Sequence, residues 1–298
     1  MAVSFKGIIP ALITPMTPSE DVDEDGLRTL IDRLIDAGVH GLFVLGTNGE
    51  FIALNEEEKL RIARIAVEQA RGRVPVIAGT GAYATRDVIA LNRKMQDVGV
   101  DGASVITPYF NGATQAELFT HYEQIARATS LPILLYTIPA KAGVTLTIDT
   151  VRRLADVPNI RAIKDSGGDF DRLLQLINLR HEEFAVFTGT DSMILWTLIA
   201  GGDGAVAATT NAVPQVVMSI WNQFQAGNVP AARAAQESLR ALRDAFALGT
   251  MPVVLKTAAE MLGMPAGPAR SPAKPLDAKS RERLAEALTI YRAALDVA

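Results

Sequence analysis

Eight short apolar runs, each separated from the next by a stretch of helical periodicity, constrain this chain more than any other feature. They are Ile8 to Ile13, Gly41 to Leu45, Val74 to Ala78, Gly102 to Ile106, Ile133 to Tyr136, Arg161 to Lys164, Ala185 to Phe187 and Gly204 to Ala207. The runs are continuous rather than alternating in polarity, as expected of strands buried on both faces of a parallel sheet. Between the first two, Leu27, Leu30, Ile31, Leu34 and Ile35 recur at helical spacing and Gly38 follows as a stop. Asn55 with Glu58, and Thr114 with Glu117, have the spacing of a capping box and mark two further helix starts. Eight such units predict an α/β fold, a closed (β/α)8 TIM barrel. A doubly wound open sheet is the competing arrangement and would place a ligand where the strand order switches.

After Val213-Pro214 the strand signals stop, and Val216 to Gln225 reads as the last barrel helix. Beyond Gly227 only helices are expected: Ala231 to Leu248, Pro252 to Leu262 and, after the Pro-rich link Ala266 to Pro275, Lys279 to Leu295. The chain therefore divides into a catalytic barrel, 1–226, and a C-terminal helical domain, 227–298. The helical part carries no chemistry of its own in this reading, and covers a barrel edge or mediates subunit contacts.

A length of 298 residues with 49% hydrophobic side chains is enough for a large core. The net charge of −4 is spread over both signs, which leaves no basic footprint for nucleic-acid phosphates. No apolar stretch is long enough to span a bilayer, and Met1 to Gly7 lacks the basic and apolar regions of an export signal, so a cytoplasmic protein with no membrane partner is expected. The absence of cysteine removes disulfides, thiolate nucleophiles and thiolate metal sites. His40, His121 and His181 are far apart with no ligand-spaced carboxylates around them, so no metal is expected and surface or capping roles are assigned. The acidic run Asp21 to Gly26 lacks the far acidic residue of a calcium loop and reads as a solvated loop and helix start.

In a barrel the carboxyl ends of the strands build the active site. At those ends stand Gly46-Thr47-Asn48-Gly49-Glu50, Thr107-Pro108-Tyr109-Phe110, Tyr136-Thr137-Ile138-Pro139, Lys164-Asp165 and Thr188-Gly189-Thr190-Asp191. Lys164, one of eight lysines, follows Ala162 and Ile163 and precedes a glycine turn, unlike Lys59, Lys94 and Lys279 in charged helical company. An amine that apolar neighbours strip of water is easier to deprotonate, and only the free amine attacks a ketone. Lys164 is thus a candidate imine-forming nucleophile; a strand-end lysine turned to water or paired with Asp165 is the other reading. Tyr136 closes a strongly apolar run, and its hydroxyl is a candidate proton carrier with Thr47 as relay. Gly46 to Gly49 could offer backbone N–H groups and short side chains to a carboxylate. Gly167-Gly168 lacks the spacing of a nucleotide-binding glycine motif.

Gly46-Thr47-Asn48-Gly49-Glu50, Ile77 to Gly81, Val105 to Phe110, Leu135 to Pro139 and Ile163-Lys164-Asp165, with Tyr136 preceding Lys164 by 28 positions, resemble the dihydrodipicolinate synthase and N-acetylneuraminate lyase superfamily of pyruvate-dependent class I aldolases over essentially the whole chain. The resemblance implies a barrel with a C-terminal helical domain, a homotetramer built as a dimer of dimers, and no cofactor. It makes Lys164 the imine-forming lysine and Tyr136 the proton carrier, sets Thr47 and Asn48 at the carboxylate of a 2-oxo acid, and places Gly189 and Val206 against the pyruvoyl part.

Three departures bear on the substrate. Asn48 stands where the synthases carry a second threonine, Phe110 replaces a relay tyrosine that reaches into a neighbouring subunit, and Lys141 replaces an arginine that grips the second substrate's carboxylate. The motifs look more like 4-hydroxy-2-oxoglutarate and 2-keto-3-deoxy sugar-acid aldolases, so the expected activity is cleavage or formation of a 2-oxo acid from pyruvate and an aldehyde. Lys141, Thr190 and Thr209 would line the aldehyde side. The alternatives are 4-hydroxy-tetrahydrodipicolinate synthase, from pyruvate and aspartate semialdehyde, and a dehydratase of a keto-deoxy sugar acid. A non-catalytic binding protein on the same barrel would have little reason to carry Lys164 and Tyr136 together.

Overall fold

A computed structural model describes residues 5–295. The strands are β1 (Gly7–Pro10), β2 (Leu42–Val44), β3 (Val76–Gly79), β4 (Gly102–Ile106), β5 (Ile133–Thr137), β6 (Ile160–Asp165), β7 (Ala185–Thr188) and β8 (Gly204–Ala207). All are parallel, in the order β1-β8-β7-β6-β5-β4-β3-β2. The two ends of that order meet: Ala11 bridges Phe43, the Leu12 N–H donates to the Phe43 carbonyl at 2.9 Å, and the His40 N–H donates to the Ile8 carbonyl at 2.9 Å. The sheet therefore closes as a (β/α)8 barrel, and the open-sheet alternative falls away.

The helices between strands are α1 (Glu24–Asp36), α2 (Glu56–Ala70), α3 (Thr85–Val98), α4 (Gln115–Arg127), the single turn α5 (Pro139–Ala142) with α6 (Ile148–Ala155), α7 (Phe170–Ile177) and α8 (Ile194–Ile199). After β8 come α9 (Pro214–Gln225), α10 (Val229–Ser238), α11 (Arg240–Ala245), α12 (Val253–Met261), α13 (Ala278–Ala287) and α14 (Thr289–Leu295). Both predicted capping boxes form, at Asn55 with Glu58 and at Thr114 with Glu117. Asp23 accepts the Gly26 N–H as the cap of α1, which gives the acidic run its role.

Strand parity sorts the core into two layers. Phe5, Ile9, Phe43, Ile77, Leu134, Ala162, Phe187 and Val206 form one cluster inside the barrel. Residues of the other parity, such as Val105, Leu135, Ile163 and Val186, join the helices in a second and larger cluster. Because β5, β6 and β7 pair in register with Tyr136 beside Lys164 and Lys164 beside Phe187, the tyrosine and the lysine take the interior parity at the same height, one layer above Leu134 and Ala162.

Two expectations need correction. The helix expected over Ala231 to Leu248 is α10, then α11, then a 3-10 turn at Phe246–Leu248, and the one expected over Lys279 to Leu295 is α13 and α14. The breaks fall at Leu239 and Leu288, both fully buried, and the apolar periodicity runs across each bend and leaves no mark of it. His121 is not a surface group: only 5% of it is exposed, and burial depresses its pKa to about 4. Its Nδ1 lies 2.8 Å from the Thr85 hydroxyl. His40 is half-buried and accepts the Ile8 N–H, and His181 is exposed and stacks on Phe184.

Candidate active site

At the carboxyl ends of the strands lies a cavity of about 310 Å³. Its lining includes Thr47, Asn48, Tyr136, Lys141, Lys164, Gly189 and Val206, so seven of the eight residues singled out from the sequence converge on one space. Lys164 is 4% exposed, and its Nζ lies 4.2 Å from the centre of the Tyr136 ring and 5.1 Å from that of Phe43. Asp165 points the other way, as strand alternation requires. Its Oδ2 accepts from Arg172 Nε at 2.8 Å and its Oδ1 from the Gly167 N–H at 2.8 Å. The reading of Lys164 as the partner of Asp165 is thereby removed.

The Tyr136 hydroxyl is 3.2 Å from Thr47 Oγ1. Thr47 sits in a tight turn in which the Gly49 N–H donates to the Gly46 carbonyl at 3.1 Å. The residue before the turn, Leu45, is fully buried at φ 60°, a left-handed conformation that a branched side chain rarely adopts, and Glu50 after it sits at φ 58°. Among the described residues the Thr47 and Asn48 N–H groups donate no backbone hydrogen bond. Such a pair of free amides beside two short polar side chains is suited to a carboxylate.

Gly189 has a specific reason to be glycine. A Cβ there would stand 2.0 Å from Ser166 Oγ and 2.7 Å from Lys164 Cε, so the lysine stem occupies the space that a side chain would need. Asp191 faces the same cavity, with its carboxylate already accepting the Ala208 and Thr209 N–H groups at 3.1 and 2.7 Å. Through its carbonyl it also holds Gln236 of α10 at 3.0 Å, while the Gln236 Oε1 accepts the Leu195 N–H at 2.9 Å. The C-terminal helices are thus tied to the barrel rim beside the site.

Phe110 lies outside this chain's own cavity, 95% exposed at φ 78° on the loop after β4. The structure departs from expectation at two places. Thr209 is fully buried outside the cavity lining, whereas Thr190 does line it. Arg243 of α11 and Phe246 in the 3-10 turn after it, with Met251, complete the wall, although that region was expected to carry no chemistry. Sequence reasoning missed them because Arg-Ala-Leu-Arg-Asp-Ala reads as a solvated helix; the apolar residue three positions after Arg243 is the one local hint that its stem is covered.

A family model described as the dihydrodipicolinate synthetase family matches residues 4–291. The chain belongs to that family. A 4-hydroxy-tetrahydrodipicolinate synthase from Methanothrix thermoacetophila is 38% identical over 96% of this chain and 96% of its own. Among solved structures, dihydrodipicolinate synthase DapA-2 from Bacillus anthracis superposes with a TM-score of 0.93 at 34% identity, covering 96% of this chain and 98% of that one. YagE from Escherichia coli K12, a prophage protein of the dihydrodipicolinic acid synthase family solved in complex with pyruvate, gives 0.93 at 37% identity, covering 97% and 99%. Members of the dihydrodipicolinate synthetase family are class I pyruvate-dependent lyases, so this chain is an enzyme of that class. No helix among the described residues is long and apolar enough to cross a membrane, and none of them form a group of three or more His, Asp or Glu placed to hold a metal ion.

Proposed function

We propose that the enzyme joins pyruvate to an aldehyde through an imine on Lys164. The observation that carries this reading is a buried amine packed on the Tyr136 ring, with the Tyr136 hydroxyl 3.2 Å from Thr47, in one cavity with two free backbone amides. Pyruvate places its carboxylate on the Thr47–Asn48 turn, and Lys164 Nζ attacks its 2-oxo carbon. Loss of water gives an iminium, which withdraws electrons from C3. A C3 proton leaves to give an enamine, C3 attacks the aldehyde carbon, and the new alkoxide takes a proton from Tyr136, with Thr47 relaying. Water then releases the product and restores the amine. Run backwards, the same steps cleave a 4-hydroxy-2-oxo acid.

The relatives favour aspartate semialdehyde as the aldehyde, which makes the reaction that of a 4-hydroxy-tetrahydrodipicolinate synthase; three from different organisms stand at 36 to 38% identity along nearly the full chain. This supports the alternative of the sequence reading over its main expectation. Cleavage of a keto-deoxy sugar acid is the second reading, and what favours it is Lys141 and Phe110 in place of the expected arginine and tyrosine. Turnover of pyruvate with aspartate semialdehyde, measured beside cleavage of 2-keto-3-deoxygluconate, separates them. Condensation without cleavage supports the synthase, and cleavage alone supports the lyase.

We further infer that residues 227–298 act as part of the catalytic unit, since Arg243 and Phe246 line its cavity. The homotetramer implied by the resemblance belongs to the same proposal. Phe110 and Ile52, 95% and 76% exposed, are apolar groups that a second copy would cover. Sedimentation of the wild type and of Phe110→Asp tests it: a smaller species for the variant supports the assembly, and a monomeric wild type refutes it.

A further inference from the structure

The cavity is lined by an excess of positive groups. Its basic side chains are Lys164, Lys141 and Arg243, and its one acidic side chain is Asp191. Among the described residues Asp191 forms no ion pair with any of them, and each of its oxygens accepts a backbone N–H. In the proposed reaction Lys164 becomes the iminium and the carboxylate of pyruvate lies at the Thr47–Asn48 turn. That leaves Lys141 and Arg243 on the remaining wall, neither of them in an ion pair among the described residues.

Arg243 is the more telling of the two. Its guanidinium carbon lies 5.1 Å from the centre of the Phe246 ring. Its Nε is buried without a hydrogen-bond partner. A neighbouring cleft of about 160 Å³ brings Glu237 and Asp244 near Arg243, yet among the described residues Arg243 forms no ion pair, while Glu237 pairs with Arg240. A buried donor left unpaired is unfavourable, and a planar guanidinium held against an aromatic ring is arranged to take a carboxylate side-on. Lys141, exposed on the single turn α5, adds a mobile point charge at the same mouth.

We propose that Arg243, assisted by Lys141, binds a second carboxylate on the aldehyde side of the substrate, so that the enzyme selects 2-oxo acids and aldehydes with an acidic far end over neutral hydroxylated chains. The inference rests on the imine reading and narrows it: the pyruvoyl carboxylate is held by the turn after β2, and the far carboxylate by a side chain from the C-terminal helices.

The test traps imines with borohydride on the full-length protein, using 2-oxoglutarate and 2-oxopentanoate, which have the same chain length and differ by the distal carboxylate. Pyruvate serves as the reference. The wild type is expected to be half-labelled at a lower concentration of 2-oxoglutarate than of 2-oxopentanoate. Arg243→Met is expected to reduce that preference on the order of 10²-fold, and Arg243→Lys, which keeps the charge and loses the fork, to reduce it less. Equal labelling by the two acids in the wild type, or a preference unchanged in Arg243→Met, overturns the proposal while pyruvate labelling leaves the imine reading standing. Failure of pyruvate itself to label Lys164 overturns the imine reading and this inference with it.

Discussion

Replacing Lys256 by methionine tests how the C-terminal helices and the turn after β2 hold each other. Lys256 sits in α12 and is 1% exposed. Its ammonium donates to the Thr14 carbonyl and the Glu50 carboxylate at 2.9 Å each, and to the Pro268 carbonyl at 2.5 Å. Burial lowers its pKa and Glu50 opposes that shift. Methionine fills most of the same volume, so the loss is mainly electrostatic. It leaves the Glu50 carboxylate buried with the Arg270 N–H, at 2.8 Å, as its remaining hydrogen-bond donor, and it leaves two carbonyls without a donor. Removing one member of a buried pair costs about 3–5 kcal/mol, a large part of the roughly 5–15 kcal/mol that holds a typical domain together. Urea denaturation followed by fluorescence should show the unfolding free energy fall by that amount, through a lower midpoint with little change in slope. The double variant Lys256→Met with Glu50→Gln should recover part of the loss, because no unpaired charge remains in the core. A loss below about 1 kcal/mol, or a double variant weaker by the sum of the single changes, would refute the reasoning.

Other consequences are as direct. Tyr136→Phe should lower kcat by roughly 10²–10⁴-fold and still form the pyruvate imine, seen by rapid-quench labelling; unchanged turnover removes the tyrosine from proton transfer. Gly189→Ala should leave far-ultraviolet circular dichroism unaltered and cut imine formation, since the new methyl displaces Lys164 Cε or Ser166 Oγ; full labelling would show that the wall yields. His121, neutral in the fold with its pKa at about 4, is protonated in the unfolded chain below about 6.5, so the unfolded state holds more protons between those values. Stability should be fully present above pH 6.5 and fall as the pH drops from there towards 4, by up to about 3 kcal/mol, with a smaller fall in His121→Gln. Identical slopes for the two proteins would contradict the assignment.

The parts of this enzyme that were legible in its sequence are those that local pattern controls. Continuous apolar runs with helical spacers gave all eight strands to within about three residues at their ends, and a lysine and a tyrosine closing two of those runs had to share a rim once the barrel closed. The remainder depended on contacts that no local pattern carries. Arg243 reaches the site from a helix that reads as solvated. Phe110 follows the fourth strand and is 95% exposed at a positive φ, which no local pattern marks. His121 looks like a surface residue among polar helical neighbours, and burial against α3 through Thr85 becomes visible only when the helices pack. Lys256 could have been flagged, as the one cation in an otherwise apolar turn of Val-Val-Leu-Lys-Thr-Ala-Ala.

The central claim is that Lys164 carries the substrate. Incubation with pyruvate, reduction with borohydride and peptide mapping test it most directly. One reduced pyruvoyl group per chain is expected, located on Lys164 and absent from Lys164→Ala. Folded protein that takes up no label under excess pyruvate, or takes it up on another lysine, would contradict it.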